Sequence, residues 1–224
     1  MATSTAARKI EEGPYPQLDT IVAEFIKANA DRNDREGRFP RENLRALAEA
    51  GWTGVLNGPR FGGLGLGHVD FAEAAYRIGQ ADASTGLVYV MHVGAAQTIN
   101  LFGSDDQKER WLKADQGRLL GTYSTSERAT GGHWWYNLSE ASRDGDDYRL
   151  NADKSFTTSS GQADFYVAQT RTPGAKDQAD IIFFIVDGEA DGIESRPWEA
   201  LGVRANHSGG INYKNVRVPQ RDRL

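Results

Sequence analysis

The segment TYSTSERATGGHWWY, residues 122–136, begins with small hydroxyl residues, continues with an acid and two glycines, and ends with aromatic residues. Hydroxyl residues next to turn-forming glycines are typical of a strand that ends in a loop. The sequence on the N-terminal side of this segment and the sequence on its C-terminal side follow different hydrophobic periods. These two periods indicate the fold class of the chain.

The N-terminal half has the apolar spacing of amphipathic helices. One stripe at i, i+3, i+4, i+7 and i+8 consists of Leu18, Ile21, Val22, Phe25 and Ile26. Further helices are predicted over residues 39–51, 71–78 and 85–101, the last of which is apolar on almost every side. Ser104 and Gln107 have the spacing of a capping box, which predicts a fifth helix after them.

Beyond Gly117 the period changes to two, which is typical of half-buried strands. The runs are rich in β-branched and aromatic residues and are separated by Gly, Asp and Pro. Asp144 and Gly145 lie between two alternating runs and predict a hairpin turn. We therefore predict an α+β fold, with an all-α helical domain over residues 1–119 followed by an antiparallel sheet or barrel over residues 120–224.

The composition favours a globular protein that binds small molecules. The 224 residues include 26 Lys and Arg against 31 Asp and Glu, a formal net charge of −5, which gives no support to nucleic-acid binding. The chain has no cysteine, so disulfides and zinc–thiolate sites are excluded. No apolar run is long enough to span a bilayer and no signal-peptide core follows Arg8 and Lys9, so we predict a cytoplasmic protein without a membrane segment.

The loop FGGLGLGH, residues 61–68, has the glycine content of a phosphate-binding loop but not its spacing. The dinucleotide motif G-x-G-x-x-G needs a third glycine where this chain has His68 or Asp70. A turn that needs positive φ and close helix packing explains the glycines without a ligand. The four histidines are isolated in sequence and predict no metal site, although a site assembled from distant residues stays open.

Two hydroxyl clusters are the candidate binding elements of the β-half. They are residues 122–126 and the segment KSFTTSSG, residues 154–161. Hydroxyls and free backbone N–H groups at a strand end can hydrogen-bond a planar heterocycle, and aromatic residues can form the wall of its pocket. The alternative is that both clusters are polar strand ends with ordinary turn chemistry. The residues alone leave both interpretations open.

Five segments, in order, resemble motifs of the acyl-CoA dehydrogenase superfamily of flavoproteins. Its helical domain has a turn of the form P-x-x-x-G-G-x-G, and its middle domain opens with Y-x-x-T-E-P-x-A-G-S-D. The matching segments here are PRFGGLGLG, FGSDDQKERWL, YSTSERATGGH, KSFTTSSGQADFYVAQTR and LGVRANHSGGINYKNVRVP. The matches extend from about Phe39 to Leu224, so the resemblance covers most of the chain.

The resemblance implies that FAD binds at the seam between the two domains. It implies that Tyr123, Thr125 and Ser126 bracket the pyrimidine side of the flavin ring. Phe156 falls where the superfamily usually has a tryptophan against the flavin, and Thr158 where a hydroxyl bonds near its N5 atom. Contacts of these kinds tune the ring as a hydride acceptor, while the flavin supplies the chemistry.

One departure from the superfamily pattern concerns the substrate. Gly131, Gly132 and His133 stand where G-S-D is usual, and Arg128 replaces a proline. The lost serine and the bulky aromatic residues that follow argue against an ordinary CoA thioester. They favour related monooxygenases of the same fold, which use reduced flavin and oxygen on small organic substrates. We predict substrate contacts at Gly132 and His133, and at His92 unless it is a packed core residue.

A second departure is that the sequence stops at VPQRDRL, where the superfamily continues into a four-helix domain with the catalytic carboxylate. Dehydrogenation needs a base near the acidic C–H, so no catalytic residue is assignable in this chain. The apolar faces that such a domain covers would be exposed here, which predicts a homo-oligomer or a partner chain that completes the site.

The resemblance leaves three functions open. The first is α,β-desaturation of an acyl-CoA thioester with FAD as hydride acceptor and an electron-transfer flavoprotein as partner. The second is a two-component monooxygenase that takes reduced FMN from a flavin reductase and acts on a non-CoA substrate. The third is a non-catalytic subunit or interaction module that binds a partner through the seam.

Overall fold

The computed structural model describes residues 15–113, 119–131 and 133–224, which form a helical part followed by a β-sheet part. The helices are α1 (Pro16–Ile21), α2 (Lys27–Glu36), α3 (Arg41–Glu49), α4 (His68–Ala81), α5 (Ala83–Phe102) and α6 (Asp105–Trp111). The strands are β1 (Gly121–Ser124), β2 (Ser142–Asp144), β3 (Asp147–Lys154), β4 (Phe165–Arg171), β5 (Ile181–Asp187), β6 (Ile193–Ser195) and β7 (Ile211–Val218). The predicted fold class is confirmed, and the proposed division after residue 119 falls between α6 and β1.

The first predicted helix contains a π-helical segment, Val22–Ile26, which joins α1 to α2. Leu18 and Ile26 are fully buried, but Phe25 is 45% exposed, so its predicted place in the buried stripe is wrong. A π-helix closes its hydrogen bonds over one more residue than an α-helix does. The larger turn brings Ile26 inward and moves Phe25 towards solvent.

Local sequence signals fix the ends of the other helices. Gly51 has a φ of 79° just after α3, which is the left-handed conformation expected of a glycine at a helix C-terminus. Ser104 and Gln107 form the predicted capping box at the start of α6. Asp82 caps α5 by accepting a hydrogen bond from the Ser84 N–H at 2.9 Å. Among the described residues, no helix combines the length and the apolar character needed to cross a lipid bilayer.

The glycine-rich loop between the turn Pro59–Phe61 and α4 packs tightly against its own helical domain. A Cβ atom at Gly63 would lie 2.2 Å from the carbonyl oxygens of both Asn57 and Gly54, so only glycine fits there. Gly65 has a φ of 65°, which a residue with a side chain rarely adopts. These contacts support the structural interpretation of the loop.

The strands form two sheets, a three-stranded sheet in the order β1-β4-β5 and a four-stranded sheet in the order β2-β3-β7-β6. The predicted hairpin is present, with Asp144 paired to Asp147 and Gly145 at a φ of 63°. Every pair of named strands is antiparallel except β1 and β4, which are parallel. The chain leaves the first sheet after β1 and builds β2 and β3 in the other sheet before it returns as β4.

Helix α5 joins the two parts of the molecule. One face of the three-stranded sheet packs on the four-stranded sheet around Tyr148, Tyr166 and Phe184. Its other face contributes Phe165, Val167 and Ile185 to a cluster with Ala95, Ala96 and Ile99 of α5. Strand β1, at the edge of its sheet, therefore lies directly against α5.

Candidate functional site

A cavity of about 640 Å³ lies between α5 and the three-stranded sheet. Its wall is apolar and aromatic over most of its area, and it includes two of the predicted flavin contacts, Tyr123 and Thr125. The other residues on its wall are Met91, Thr98, Phe102, Trp134, Gln169, Phe183 and Leu224. Cofactor and substrate sites are commonly concave, mostly apolar and provided with a few polar groups, as this cavity is.

Tyr123 is held against α5 by its hydroxyl. The hydroxyl donates a hydrogen bond to the Gly94 carbonyl at 2.9 Å and contacts the hydroxyl of Thr98. A Cβ atom at Gly94 would lie 2.9 Å from the Tyr123 ring, so the glycine permits this close approach of helix and strand. Because its hydroxyl is already bonded to α5, Tyr123 can contact a ligand through its ring and its backbone.

The two hydroxyl clusters predicted from the sequence lie side by side. The Ser124 and Thr157 hydroxyls are 3.2 Å apart, and the Ser155 N–H donates to the Ser126 carbonyl at 2.9 Å. Glu127 and Lys154 form an isolated antiparallel bridge beyond these contacts. The structure therefore brings residues 122–127 and 154–158 to one end of β1.

The two residues predicted against the flavin from the second cluster differ in exposure. The Phe156 ring is 69% exposed and meets Trp198 edge-on, with ring centroids 6.4 Å apart. Thr158 is 6% exposed, and its hydroxyl is 2.9 Å from the Ser208 hydroxyl. Neither residue lines the cavity beside Tyr123, so the predicted contacts divide between the cavity and the surface beside it.

A buried ion pair, Glu127 with Lys154, orders the end of β1. The Lys154 Nζ lies 2.9 Å from Glu127 Oε1 and donates to the Thr125 carbonyl at 3.0 Å. The second carboxylate oxygen accepts hydrogen bonds from the Leu138 and Ser139 N–H groups, at 2.7 and 3.1 Å. The pair thereby connects the predicted flavin contact Thr125 to the segment that follows Trp134.

Burial and the contact between the two charges act in opposite directions on the pKa values of this pair. Burial lowers the pKa of Lys154, because it disfavours the charged form. The neighbouring Glu127 carboxylate acts in the other direction and only partly offsets this effect. Burial also disfavours ionisation of Glu127, but the Lys154 charge and the hydrogen bonds from Ser139 and Leu138 outweigh it and hold the pKa of that carboxyl below its usual value. Both residues lie within the quoted sequence segments, yet only the fold shows that they meet.

His92 lies in the core of the helix–sheet contact. Its ring is 4% exposed, and its Nδ1 accepts a hydrogen bond from the Gly121 N–H at 2.8 Å. Burial lowers its pKa to about 4, so the imidazole is neutral at pH 7. This geometry supports the packed-core alternative, since His92 orients the first residue of β1 and does not line the cavity.

The predicted substrate contacts after β1 lie on an exposed aromatic segment. Gly132 is outside the described residues, and His133 is exposed. His133 donates from Nδ1 to the Thr130 carbonyl at 2.9 Å, and its ring meets Trp135 edge-on with centroids 5.3 Å apart. Trp134, which is 56% exposed, lines the cavity, so this segment reaches the site through the tryptophan.

Comparison with known sequences identifies two domains of one family. Residues 17–114 match the domain described as "Acyl-CoA dehydrogenase, N-terminal domain". Residues 122–216 match the one described as "Acyl-CoA dehydrogenase, middle domain". Together these matches cover most of the chain and coincide with its helical part and its β-sheet part.

Individual relatives agree with this result. The mitochondrial isobutyryl-CoA dehydrogenase of Dictyostelium discoideum is 27% identical over 201 residues, which is 89% of this chain and 48% of the relative. The probable acyl-CoA dehydrogenase YngJ of Bacillus subtilis is 29% identical over 207 residues, 89% of this chain and 54% of the relative. The chain thus spans about half the length of these relatives.

Among solved structures, FMN-bound TdsC from Paenibacillus sp. A11-2 superposes with a TM-score of 0.82 at 26% identity. The superposition covers 93% of this chain and 53% of the TdsC chain. The fold found here is therefore shared with a protein whose structure contains a flavin.

Proposed function

Because this chain belongs to the acyl-CoA dehydrogenase family, we propose that it is part of a flavin-dependent oxidoreductase that desaturates an acyl-CoA thioester between its α and β carbons. The observation that carries the proposal is the meeting of residues 122–127 with residues 154–158 at the end of β1. These segments are distant in sequence, and turn chemistry alone does not require hydroxyls from both to converge next to an apolar cavity.

The side chains at this convergence fit a flat heterocycle. Tyr123 and Thr125 line a cavity with aromatic walls, and within the described part of the chain β1 is the edge strand of its sheet. Phe156 presents a mostly exposed ring that is suited to stacking. We propose that these three residues, with Ser126 and Thr158, hold the isoalloxazine ring of FAD.

The contribution of the chain to the reaction is binding, orientation and exclusion of water. A bound flavin would supply the hydride acceptor. The aromatic wall at Trp134 and Phe102 would shield the acyl group from solvent. The Glu127–Lys154 pair would keep Thr125 in place, because both its members are engaged in hydrogen bonds around that residue.

A second candidate is a two-component monooxygenase that receives reduced FMN and acts on a substrate without CoA. It is favoured by the bulk of Trp134 and Trp135 beside the cavity, where a pantetheine arm would need room. The likeness to FMN-bound TdsC also supports FMN as an alternative to FAD. In this case the partner would be a flavin reductase, and in the first case an electron-transfer flavoprotein.

The exposed apolar residues near the cavity support association with another chain or with a second copy. Leu101, Phe102 and Trp135 are 63%, 74% and 57% exposed. Exposed large apolar side chains are typical of interaction surfaces when they form a contiguous patch. We propose a homo-oligomer as the working assembly.

The experiment that tests the proposal is a flavin titration of the purified chain. The protein is mixed with FAD and, separately, with FMN, and the visible absorbance of the protein fraction is recorded after gel filtration. Retained FAD that bleaches anaerobically with isobutyryl-CoA supports the dehydrogenase. Retained reduced FMN and oxygen uptake without a CoA ester support the monooxygenase. A protein that retains neither flavin would contradict both enzyme functions and would support the interaction module.

A further inference from the structure

Asn137 is a buried amide that connects the aromatic segment to the end of β1. It follows Trp134 by three residues, and its side chain is 0% exposed. Its Nδ2 donates a hydrogen bond to the Thr125 carbonyl at 2.9 Å. Since a carbonyl oxygen only accepts hydrogen bonds, the amide nitrogen is the atom that faces it. The contact joins the segment that carries Trp134 to a residue proposed to hold the flavin.

The Thr125 carbonyl has a second donor, the Lys154 Nζ at 3.0 Å. A carbonyl oxygen has two lone pairs, so the two donors satisfy it completely. No peptide bond of the described residues is cis, and in a trans peptide the C=O and the N–H point in opposite directions. The two donors therefore fix the direction of the Ser126 N–H, which points away from the side chains of Lys154 and Asn137.

The Ser126 N–H is available to a ligand. Ser126 is partly exposed, and within the described part of the chain its N–H has no hydrogen-bond partner. Its carbonyl, in contrast, accepts from the Ser155 N–H at 2.9 Å. Because the Thr125 carbonyl is already saturated, the peptide between Thr125 and Ser126 offers a bound group a donor and no acceptor.

Asn137 is unfavourable for the stability of the fold alone. Its Oδ1 is buried and has no partner among the described residues. A buried polar atom without a partner is destabilising, and an apolar side chain of similar volume avoids that penalty. The Thr125 carbonyl would still be bonded to Lys154 if Asn137 were apolar. What the amide adds is a second contact that holds this peptide in one orientation.

We propose that Asn137 is a positioning residue of the flavin site, which together with Lys154 locks the peptide between Thr125 and Ser126 and so presents the Ser126 N–H to an acceptor atom of the flavin. This inference rests on the proposed function for the identity of the ligand. Asn137 acts through the peptide and does not touch the ligand, because its side chain is completely buried. A donor that is fixed before binding contributes more to affinity than one that binding must order.

The test compares the wild type with Asn137→Leu and with the control Asn43→Leu. Asn43 is also a completely buried asparagine, but its side chain bonds within the helical part, to Asn29 and Thr85. Dissociation constants for FAD and for FMN are measured by equilibrium titration, and stability is measured as the denaturation midpoint without flavin. We expect Asn137→Leu to bind flavin about three- to tenfold more weakly, with a midpoint equal to or above that of the wild type. The control should have a lower midpoint and the wild-type affinity.

A measurement without flavin reports on the peptide itself. In NMR spectra of the flavin-free proteins, the resonances of the Thr125 carbonyl carbon and of the Ser126 amide should shift in Asn137→Leu and keep their positions in the control. These shifts together with weaker flavin binding support the inference.

Two other outcomes separate the inference from the proposed function. Unchanged flavin affinity in Asn137→Leu, or weaker binding without the resonance shifts, overturns the inference and leaves the proposed function intact. A wild type that retains neither flavin refutes the proposed function, and the inference fails with it. If Asn137→Leu does not fold, Asn137→Ala, which adds no bulk, replaces it and is judged by flavin affinity and resonance shifts.

Discussion

Glu127 and Lys154 form a buried ion pair in which the Lys154 Nζ lies 2.9 Å from Glu127 Oε1 and both side chains are almost completely shielded from water. The pair joins the end of β1 to the end of β3 and supports the backbone of Thr125. The geometry of the proposed flavin site thus depends on two residues that do not line the cavity.

Replacing Lys154 with Met should destabilise the fold by about 3–5 kcal/mol, because it leaves the buried Glu127 carboxylate without its counter-charge. Chemical denaturation measures this difference. The double variant Lys154→Met/Glu127→Gln should be destabilised by less than the sum of the destabilisations of the two single variants. The control is Lys214→Met, which breaks an exposed pair with Glu194 and should cost less than about 1 kcal/mol. Equal decreases in the free energy of unfolding for Lys154→Met and Lys214→Met would contradict the prediction.

The buried His92 should make stability depend on pH between about 4 and 6.5. The folded protein favours the neutral imidazole, so in this window the unfolded chain binds more protons than the folded one. This contribution, about 3 kcal/mol, is fully present above the unfolded pKa and is lost as the pH falls through the folded pKa. His92→Asn keeps an acceptor near the Gly121 N–H but does not titrate. The denaturation midpoint of the variant should therefore change less with pH over this window than that of the wild type. The same change with pH in both proteins would refute the assignment of this pH dependence to His92.

Gly63→Ala should destabilise the helical domain by about 2–3 kcal/mol, since the new methyl group would overlap two backbone carbonyl oxygens. The matched control is Gly58→Ala, because Gly58 has a φ of −66° and no atom within 4 Å of its added Cβ. Thermal unfolding compares the two. The folded fraction of Gly63→Ala should bind flavin as the wild type does, and a selective loss of flavin from a stable variant would restore the loop as a ligand site.

Phe156→Ala should weaken flavin binding about three- to tenfold and leave the unfolding free energy nearly unchanged. The ring is mostly exposed, so its removal opens no cavity, while a lost aromatic stacking contact is worth about 0.5–1.5 kcal/mol. Phe25→Ala removes another exposed phenyl group, far away in the helical part, and serves as the control. Equilibrium titration with FAD measures both, and the same affinity in the two variants argues against stacking at Phe156.

Signals between sequence neighbours predicted their part of the fold correctly. The capping box of Ser104 with Gln107 and the hairpin at Asp144 and Gly145 need only a few adjacent residues to form, and both are present. Phe25 was predicted on the wrong face because the 3.6-residue period does not hold through a π-helical turn. The predicted flavin residues came from motif resemblance and remain a prediction.

Contacts between distant segments could not be predicted from the sequence. Nothing in the order of residues indicates that Lys154 faces Glu127, or that Gln169 is completely buried. A polar residue within a strand is most simply assigned to the solvent side. Only the packing of α5 on the sheet shows that this position is buried.

The parallel pairing of β1 with β4 has a consequence for the order of events during synthesis. Helices α1 to α6 leave the ribosome first and can assemble from contacts that are near in sequence, whereas β1 must wait until β2, β3 and β4 have followed. Until then β1, which carries Tyr123, lacks its partner strand β4. The part of the molecule proposed to bind the cofactor thus cannot form until β4 has been synthesised, and the nascent chain is exposed to misassociation in that interval.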